Sequence, residues 1–326
     1  MHVIITGGAG FLGRRLAAAV LAKGQLAGPG GPPDEVTALT LVDLAEPADR
    51  ALLEDPRVRV AVGDIADPGF VGTLLAGHGA TSLFHLAAVV SAQAEGDFDL
   101  AMRVNVDAVR ALLEAARSHG ETVRFVSTSS VAVLGSDAGP VGGEDSVVRP
   151  ETTYGMTKAL LELWASDYAR KGFVDARVGR LPTVIIRPGA PNGAASSAAS
   201  AVFREPLAGT DYVLPVSLDV PIAVSGVRSV VEGLVALHDV PAEALGRHRT
   251  VAFPSVSVTF ADMVDALRRA GAGRRLGTVA VAPDPRIEAI LRSWPARLDG
   301  SRALALGLPP AQTLPETIDD YLRETA

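Results

Sequence analysis

The chain contains no cysteine. That excludes disulfides, thiolate nucleophiles and cysteine-held metals, and it suits a cytoplasmic protein. Histidine is scarce as well: there are six, and no two stand four residues apart. A zinc site is therefore not expected, nor any other resident metal. Positive charge is in deficit, with 30 Lys and Arg against 37 Asp and Glu and a net charge of −7. Nucleic-acid binding, which needs a basic face, is not expected. No run of eighteen apolar residues occurs, so a membrane-spanning helix is not expected either. Val3-Ile4-Ile5 opens a strand almost at once, which leaves no room for a signal peptide.

What is present is ample apolar material. Hydrophobic residues make up 48% of 326, enough for one large domain and a smaller lobe. Short apolar runs at Val3–Thr6, Leu39–Asp43, Val58–Gly63, Ser82–Ala87, Val123–Ser127 and Thr183–Arg187 read as buried parallel strands. Helical segments near 12–23, 68–77, 98–119 and 153–171 fall between them. This alternation predicts a Rossmann-type doubly wound α/β sheet, followed by a smaller, mainly C-terminal α/β lobe. Residues 24–34, rich in Gly and Pro, read as a plain loop. Residues 188–201 read as a loop over a site. Beyond them the sequence predicts helices at 229–239, 259–270, 285–293, 300–306 and 315–324, and a strand at 250–253 that rejoins the sheet. Thr259 and Asp262 have the spacing of a helix cap. The division is then 1–187, with 229–258 returning to it, against a substrate lobe of 188–228 and 259–326.

Gly7-Gly8-Ala9-Gly10-Phe11-Leu12-Gly13 joins the first strand to the first helix. Gly7 permits the tight turn, Gly10 the close approach of a pyrophosphate, and Gly13 close packing of helix on strand. The free N–H groups at the helix start then meet the phosphates. Asp43 ends the second strand, where a carboxylate accepts from the adenosine ribose and repels a 2′-phosphate. The pattern favours NAD over NADP. Asp64, before Ile65, ends the third strand near the expected adenine; it either accepts from the adenine amine or caps the helix beginning near Pro68.

Tyr154 and Lys158 stand at i and i+4, on one face of a helix. An ammonium beside a phenol favours the phenolate, which can act as base toward an alcohol or, protonated, as acid toward a ketone. The strand end Ser127-Thr128-Ser129-Ser130 supplies a hydroxyl to hold the substrate oxygen.

These features together resemble the extended short-chain dehydrogenase/reductase family, the NAD-dependent epimerases and dehydratases. The likeness runs through most of the chain and includes His85-Leu86-Ala87-Ala88, Asn105-Val106 and Arg180-Leu181-Pro182. It implies an NAD site formed by Gly7, Gly10, Phe11, Leu12, Gly13, Asp43, Asp64, Ile65, Leu86, Ala87, Ala88, Asn105, Ser127, Tyr154, Lys158, Pro182 and Val184. In that family the catalytic hydroxyl lies five residues before a glycine; counting back from Gly135 selects Ser130, with Ser129 as the alternative. The likeness also implies a homodimer through the helices near 98–119 and 153–171.

Departures from the family pattern narrow the choice. Dehydratases carry an Asp-Glu pair directly after the catalytic hydroxyl, where this chain has Val131 and Ala132. Nucleotide-sugar epimerases commonly have Asn at the position of Thr183. The stretches Phe84–Ser91, Arg187–Asn192, Ala194–Ser197, Arg204–Gly209 and Ser293–Pro295 resemble a subgroup of sugar-acid dehydrogenases. These oxidise the C2 hydroxyl of a four-carbon acid such as D-erythronate with NAD. The expected substrate contacts are Ser91, Ser129, Ser130, Asn192, Ser197 and Arg204, with Ser196 a further hydroxyl. Arg204 is the expected carboxylate partner and Arg187 the weaker candidate. Trp294 is expected to pack in the lobe. The alternatives are a nucleotide-sugar 4-epimerase that retains its NAD and a redox-sensing regulator, which the presence of both Tyr154 and Lys158 disfavours.

Overall fold

The structure, a computed structural model, describes all residues except 29–30, 48–49, 77–78, 80, 190–194 and 326. Seven strands form the central sheet and are numbered here in chain order: β1 (His2–Thr6), β2 (Ala38–Asp43), β3 (Val58–Val62), β4 (Thr81–His85), β5 (Arg124–Ser130), β6 (Asp175–Leu181) and β7 (Thr250–Ala252). Their order across the sheet is β7-β6-β5-β4-β1-β2-β3, with every neighbouring pair parallel. The order reverses between β1 and β4, the position where Rossmann sheets open a crevice for a dinucleotide.

Side-chain alternation feeds two separate cores. Val3, Ile5, Phe84 and Val126 pack against Leu16, Val20, Val230 and Leu234 of the helices Phe11–Lys23 and Val227–Asp239. Their neighbours Ile4, Leu83 and Phe125 face Leu112, Leu113, Leu161 and Ala165 of Ala108–Arg117 and Thr153–Arg170 on the opposite side. A strand covered on both faces must be apolar at every position, which is why these runs show no polar alternation.

Four local expectations need correction. Residues 24–34 are not a plain loop: Gln25–Ala27 and Pro33–Glu35 pair as a short antiparallel ladder. The sixth strand of the sheet is Asp175–Leu181, whereas the strand expected over 183–187 shrinks to Thr183–Ile185. That strand pairs with Pro221–Gly226 in a separate three-stranded sheet. The chain leaves the central sheet at Pro182, which lacks the N–H a ladder needs. Finally, 188–201 is not loop throughout, because a 3₁₀ turn at Ala195–Ser197 runs into the helix Ala198–Leu207.

The smaller lobe has its own core of Ile185, Val202, Phe203, Phe260, Met263, Leu291 and Ile318. Thr259 and Asp262 form a reciprocal capping box at the start of Phe260–Ala270. Among the described residues, no helix is long and apolar enough to cross a membrane.

Candidate active site

The glycine loop is fixed by steric necessity. Gly7 has φ +71°, and a Cβ there would lie 2.8 Å from the Ala87 nitrogen. A Cβ on Gly13 would lie 2.1 Å from the Gly7 carbonyl oxygen. The loop therefore sits directly on the Leu86–Ala87 segment beyond β4, and the first helix starts hard against it. Its first N–H groups have no acceptor within the helix, which makes the spot a cradle for phosphate. Asp43 accepts the Ala9 N–H at 3.0 Å and the Leu44 N–H at 2.8 Å, tying the loop to the end of β2. A carboxylate has further lone pairs, so it can also take ribose hydroxyls. These features fit NAD.

Other expected cofactor residues divide into two groups. Leu12, Leu86, Ala88, Pro182 and Val184 border the cavity described below. Asp64 instead pairs with Arg103 at 2.6 Å and accepts the Ala66 N–H at 2.9 Å, while Asp67 caps the helix Pro68–Leu74. Ile65 is buried. Asn105 is buried and spends both amide protons inside the protein, on the Val89 carbonyl and Thr157 Oγ1. It locks the loop after β4 to the Tyr154 helix rather than reaching outward. Ser127 is fully buried and donates to the His85 carbonyl at 3.0 Å.

At the C-terminal ends of β4, β5 and β6 lies a cavity of about 200 Å³. Ser129, Ser130, Tyr154 and Lys158 line it together with Ser91, Arg187, Ser196 and Trp294. Thr152 caps the helix Thr153–Arg170 through the Gly155 N–H, and Glu95 accepts the Thr153 N–H, so Tyr154 sits in a firmly held first turn. The Lys158 ammonium donates to the Thr128 carbonyl at 2.9 Å and lies 5.7 Å from the centre of the Tyr154 ring. Burial pulls the Lys158 pKa down to about 8. Burial raises that of Tyr154, against the opposing pull of Arg187 and a hydrogen bond with Ser130. Ser130 Oγ also accepts the Ala132 N–H at 3.2 Å.

Arg187, which the sequence ranks second as carboxylate partner, is thus the arginine that lines the cavity beside Tyr154. Its Nη2 donates to the Ser196 carbonyl and Oγ, both at 3.0 Å. Among the described residues no carboxylate pairs with it. Arg204, the expected carboxylate partner, does not line the cavity. It is buried behind the wall, paired with Glu205 and donating to the Arg187 carbonyl. Ser197 is buried and also outside the lining, whereas Ser196 is in it. Asn192 lies outside the described residues. Trp294 lines the cavity as well as packing in the lobe. Nothing in the sequence ranks Arg187 above Arg204; the docking of the helix Ala198–Leu207 separates them.

No described lining residue is acidic, and Val131 and Ala132, at the two positions where the sequence lacks a dehydratase's Asp-Glu pair, are in the lining. A larger cavity of about 340 Å³ lies between the first helix and the C-terminal helix. Its Arg15 and Arg228 are ion-paired with Glu324 and Asp320.

The sequence model of the NAD-dependent epimerase/dehydratase family matches residues 3–248. The chain is 45% identical to D-erythronate dehydrogenase of Cupriavidus necator, over 99% of this chain and 98% of that one. It is 38% identical to D-erythronate dehydrogenase of Haemophilus influenzae, over 99% of each. Among solved structures, the nucleoside-diphosphate-sugar epimerase from Agrobacterium tumefaciens superposes with a TM-score of 0.89 at 34% identity, covering 99% of this chain and 94% of that one.

Proposed function

The chain belongs to the NAD-dependent epimerase/dehydratase family and is an NAD-dependent oxidoreductase; we propose that it oxidises the C2 hydroxyl of a small sugar acid of the D-erythronate type to the 2-oxo acid. The observation that carries this reading is Arg187: a partly buried guanidinium without a carboxylate partner among the described residues, beside Tyr154 in a cavity of about 200 Å³. A cation without a carboxylate partner, partly withdrawn from water, favours an anion beside it. A carboxylate seated there puts the adjacent carbon, and the hydroxyl it bears, next to Tyr154 and Ser130. The space of about 200 Å³ suits a small monoacid better than a nucleoside-diphosphate sugar.

Tyr154, as phenolate, takes the hydroxyl proton, and Ser130 holds the same oxygen as its charge changes. Arg187 favours the phenolate by its charge. Lys158, held by Thr128, adds a second positive charge on the same helix face. NAD, when bound, supplies the hydride acceptor; the glycine loop, Asp43 and Lys158 would hold it. Exposed Phe98 and Leu163 lie on the helices through which the chain would form a homodimer, a state that light scattering measures.

The test is to incubate the purified protein with NAD and a panel of four- to six-carbon aldonates and uronates while following NADH. Accumulation of NADH with D-erythronate and NAD, and little NADPH when NADP replaces NAD, is the expected result. No NADH with any acid, together with epimerisation of a nucleotide sugar without net NADH, would replace this reading with the 4-epimerase.

A further inference from the structure

Arg187 stands outside any helix or strand, between Ile186 and Pro188. Its backbone N–H and C=O therefore lack a ladder, and buried backbone groups without partners are costly. Both find side chains of one helix. The Arg187 N–H donates to Ser200 Oγ at 3.1 Å, and Arg204 Nη1 donates to the Arg187 carbonyl at 2.8 Å. Ser196, just ahead of that helix, takes the guanidinium. We propose that Ser200 and Arg204 of the helix Ala198–Leu207 are positioning residues that clamp the Arg187 backbone from both sides and so aim its guanidinium at the substrate carboxylate.

Serine alone would satisfy a backbone group; a buried arginine is an expensive choice for holding one carbonyl. Its Nε is paired with Glu205 at 2.8 Å, and its Nη2 is buried without a partner. The choice becomes intelligible if rigidity at Arg187 matters, because a planar guanidinium held by the neighbouring carboxylate cannot swing away from the carbonyl it holds. A guanidinium misaimed by about 1 Å loses bidentate contact with a carboxylate while the acid–base pair stays intact.

The proposal rests on the sugar-acid reading, and the experiment separates the two. Initial rates with D-erythronate and NAD are measured for Arg187→Ala, Ser200→Ala, Ser200→Thr, Arg204→Met and Arg204→Lys. The thermal midpoint of each is recorded. We expect Arg187→Ala to raise KM on the order of a hundredfold. Ser200→Ala and Arg204→Met should each raise it about tenfold, with kcat within about twofold of the parent, as loss of one positioning hydrogen bond implies. Ser200→Thr should restore KM, since it returns the hydroxyl, and Arg204→Lys should restore part of it. Folded Ser200→Ala and Arg204→Met proteins with unchanged KM, beside a damaged Arg187→Ala, would overturn the clamp and leave the sugar-acid reading standing. An undamaged Arg187→Ala would overturn both. A fall in kcat that tracks thermal destabilisation, without a change in KM, would show the helix to be merely structural.

Discussion

Lys158 carries the sharpest conflict between stability and function at the scale of one residue. It is buried, its ammonium donates to the Thr128 carbonyl, and its pKa is depressed to about 8 from 10.5. A depressed lysine pKa means that the folded state resists the charge. The cost is present in full below pH 8 and disappears as pH rises toward 10.5, where the unfolded chain also becomes neutral. At pH 7 that cost is about 3 kcal/mol. Lys158→Met should therefore raise the thermal midpoint of the cofactor-free protein by several degrees while abolishing turnover. A lower midpoint would show that the ammonium is stabilising where it lies. Tyr154→Phe probes the proton transfer instead. It should lower kcat by about 10²–10⁴ and leave NADH binding, followed by fluorescence, unchanged. A normal kcat would mean that another group moves the proton.

Among the elements, the β1 turn and the helix after it act as one rigid piece. The 2.1 Å separation between a Cβ on Gly13 and the Gly7 carbonyl cannot be relieved by a side-chain rotation, because both partners are backbone. Gly13→Ala should push the helix off the strand and weaken NADH binding more than tenfold, as read by fluorescence titration. Gly72 provides the control. It lies in the helix Pro68–Leu74, and a Cβ there meets nothing within 4 Å. Gly72→Ala should bind NADH normally and gain up to about 1 kcal/mol of stability. Equal binding by the two variants would dismiss the steric account of the loop. Asn105 works at the same scale, in the π-turn Arg103–Asp107 between two helical stretches. Its amide joins Val89 to Thr157, tying the loop after β4 to the helix that carries Tyr154.

Across the whole molecule, acid sensitivity is built into the two cores. His85 is buried against Phe125 and bonded to Thr6, and burial lowers its pKa to about 3. His238 is buried against Phe84 and bonded to Ser82 and Asp239, and burial lowers its pKa to about 4. Both are neutral in the fold. Near neutrality this costs nothing, because the unfolded histidines are mostly neutral too. As pH falls below 6.5 the unfolded chain takes up protons that the folded chain refuses, so stability is lost. At pH 5 the loss is about 2 kcal/mol per histidine, or about 4 in total. Asp239 adds to it only nearer pH 4, since its own pKa is lowered. Urea midpoints measured between pH 7.5 and 5 should fall accordingly, and His85→Asn should roughly halve the slope. A midpoint independent of pH over this range would rule the account out.

Much of this protein was legible in the chain because the decisive spacings are local. Gly7, Gly10 and Gly13 lie within one turn and the first turn of the helix it feeds. Tyr154 and Lys158 share a helix face whatever that helix packs on, and apolar strands alternating with helices admit few arrangements other than a doubly wound sheet. The sequence by itself thus determined the fold class, NAD as cofactor and the shared helix face of Tyr154 and Lys158. Only the tertiary structure decided which arginine faces that pair. Arg187 and Arg204 are 17 residues apart, similar in type and both next to the expected site. Their roles depend on how the helix Ala198–Leu207 docks against the segment leaving Ile185. Docking buries Arg204 beside Glu205 and leaves Arg187 beside Tyr154. The exit at Pro182 is of the same kind. Leu181 and Thr183 are both buried strand residues, yet Leu181 pairs with Ser130 in the central sheet and Thr183 with Val224 in the lobe, partners 51 and 41 residues away along the chain. A side chain's neighbours along the sequence fix its spacing, but which cavity it meets is set by segments that reach it only when the two cores close.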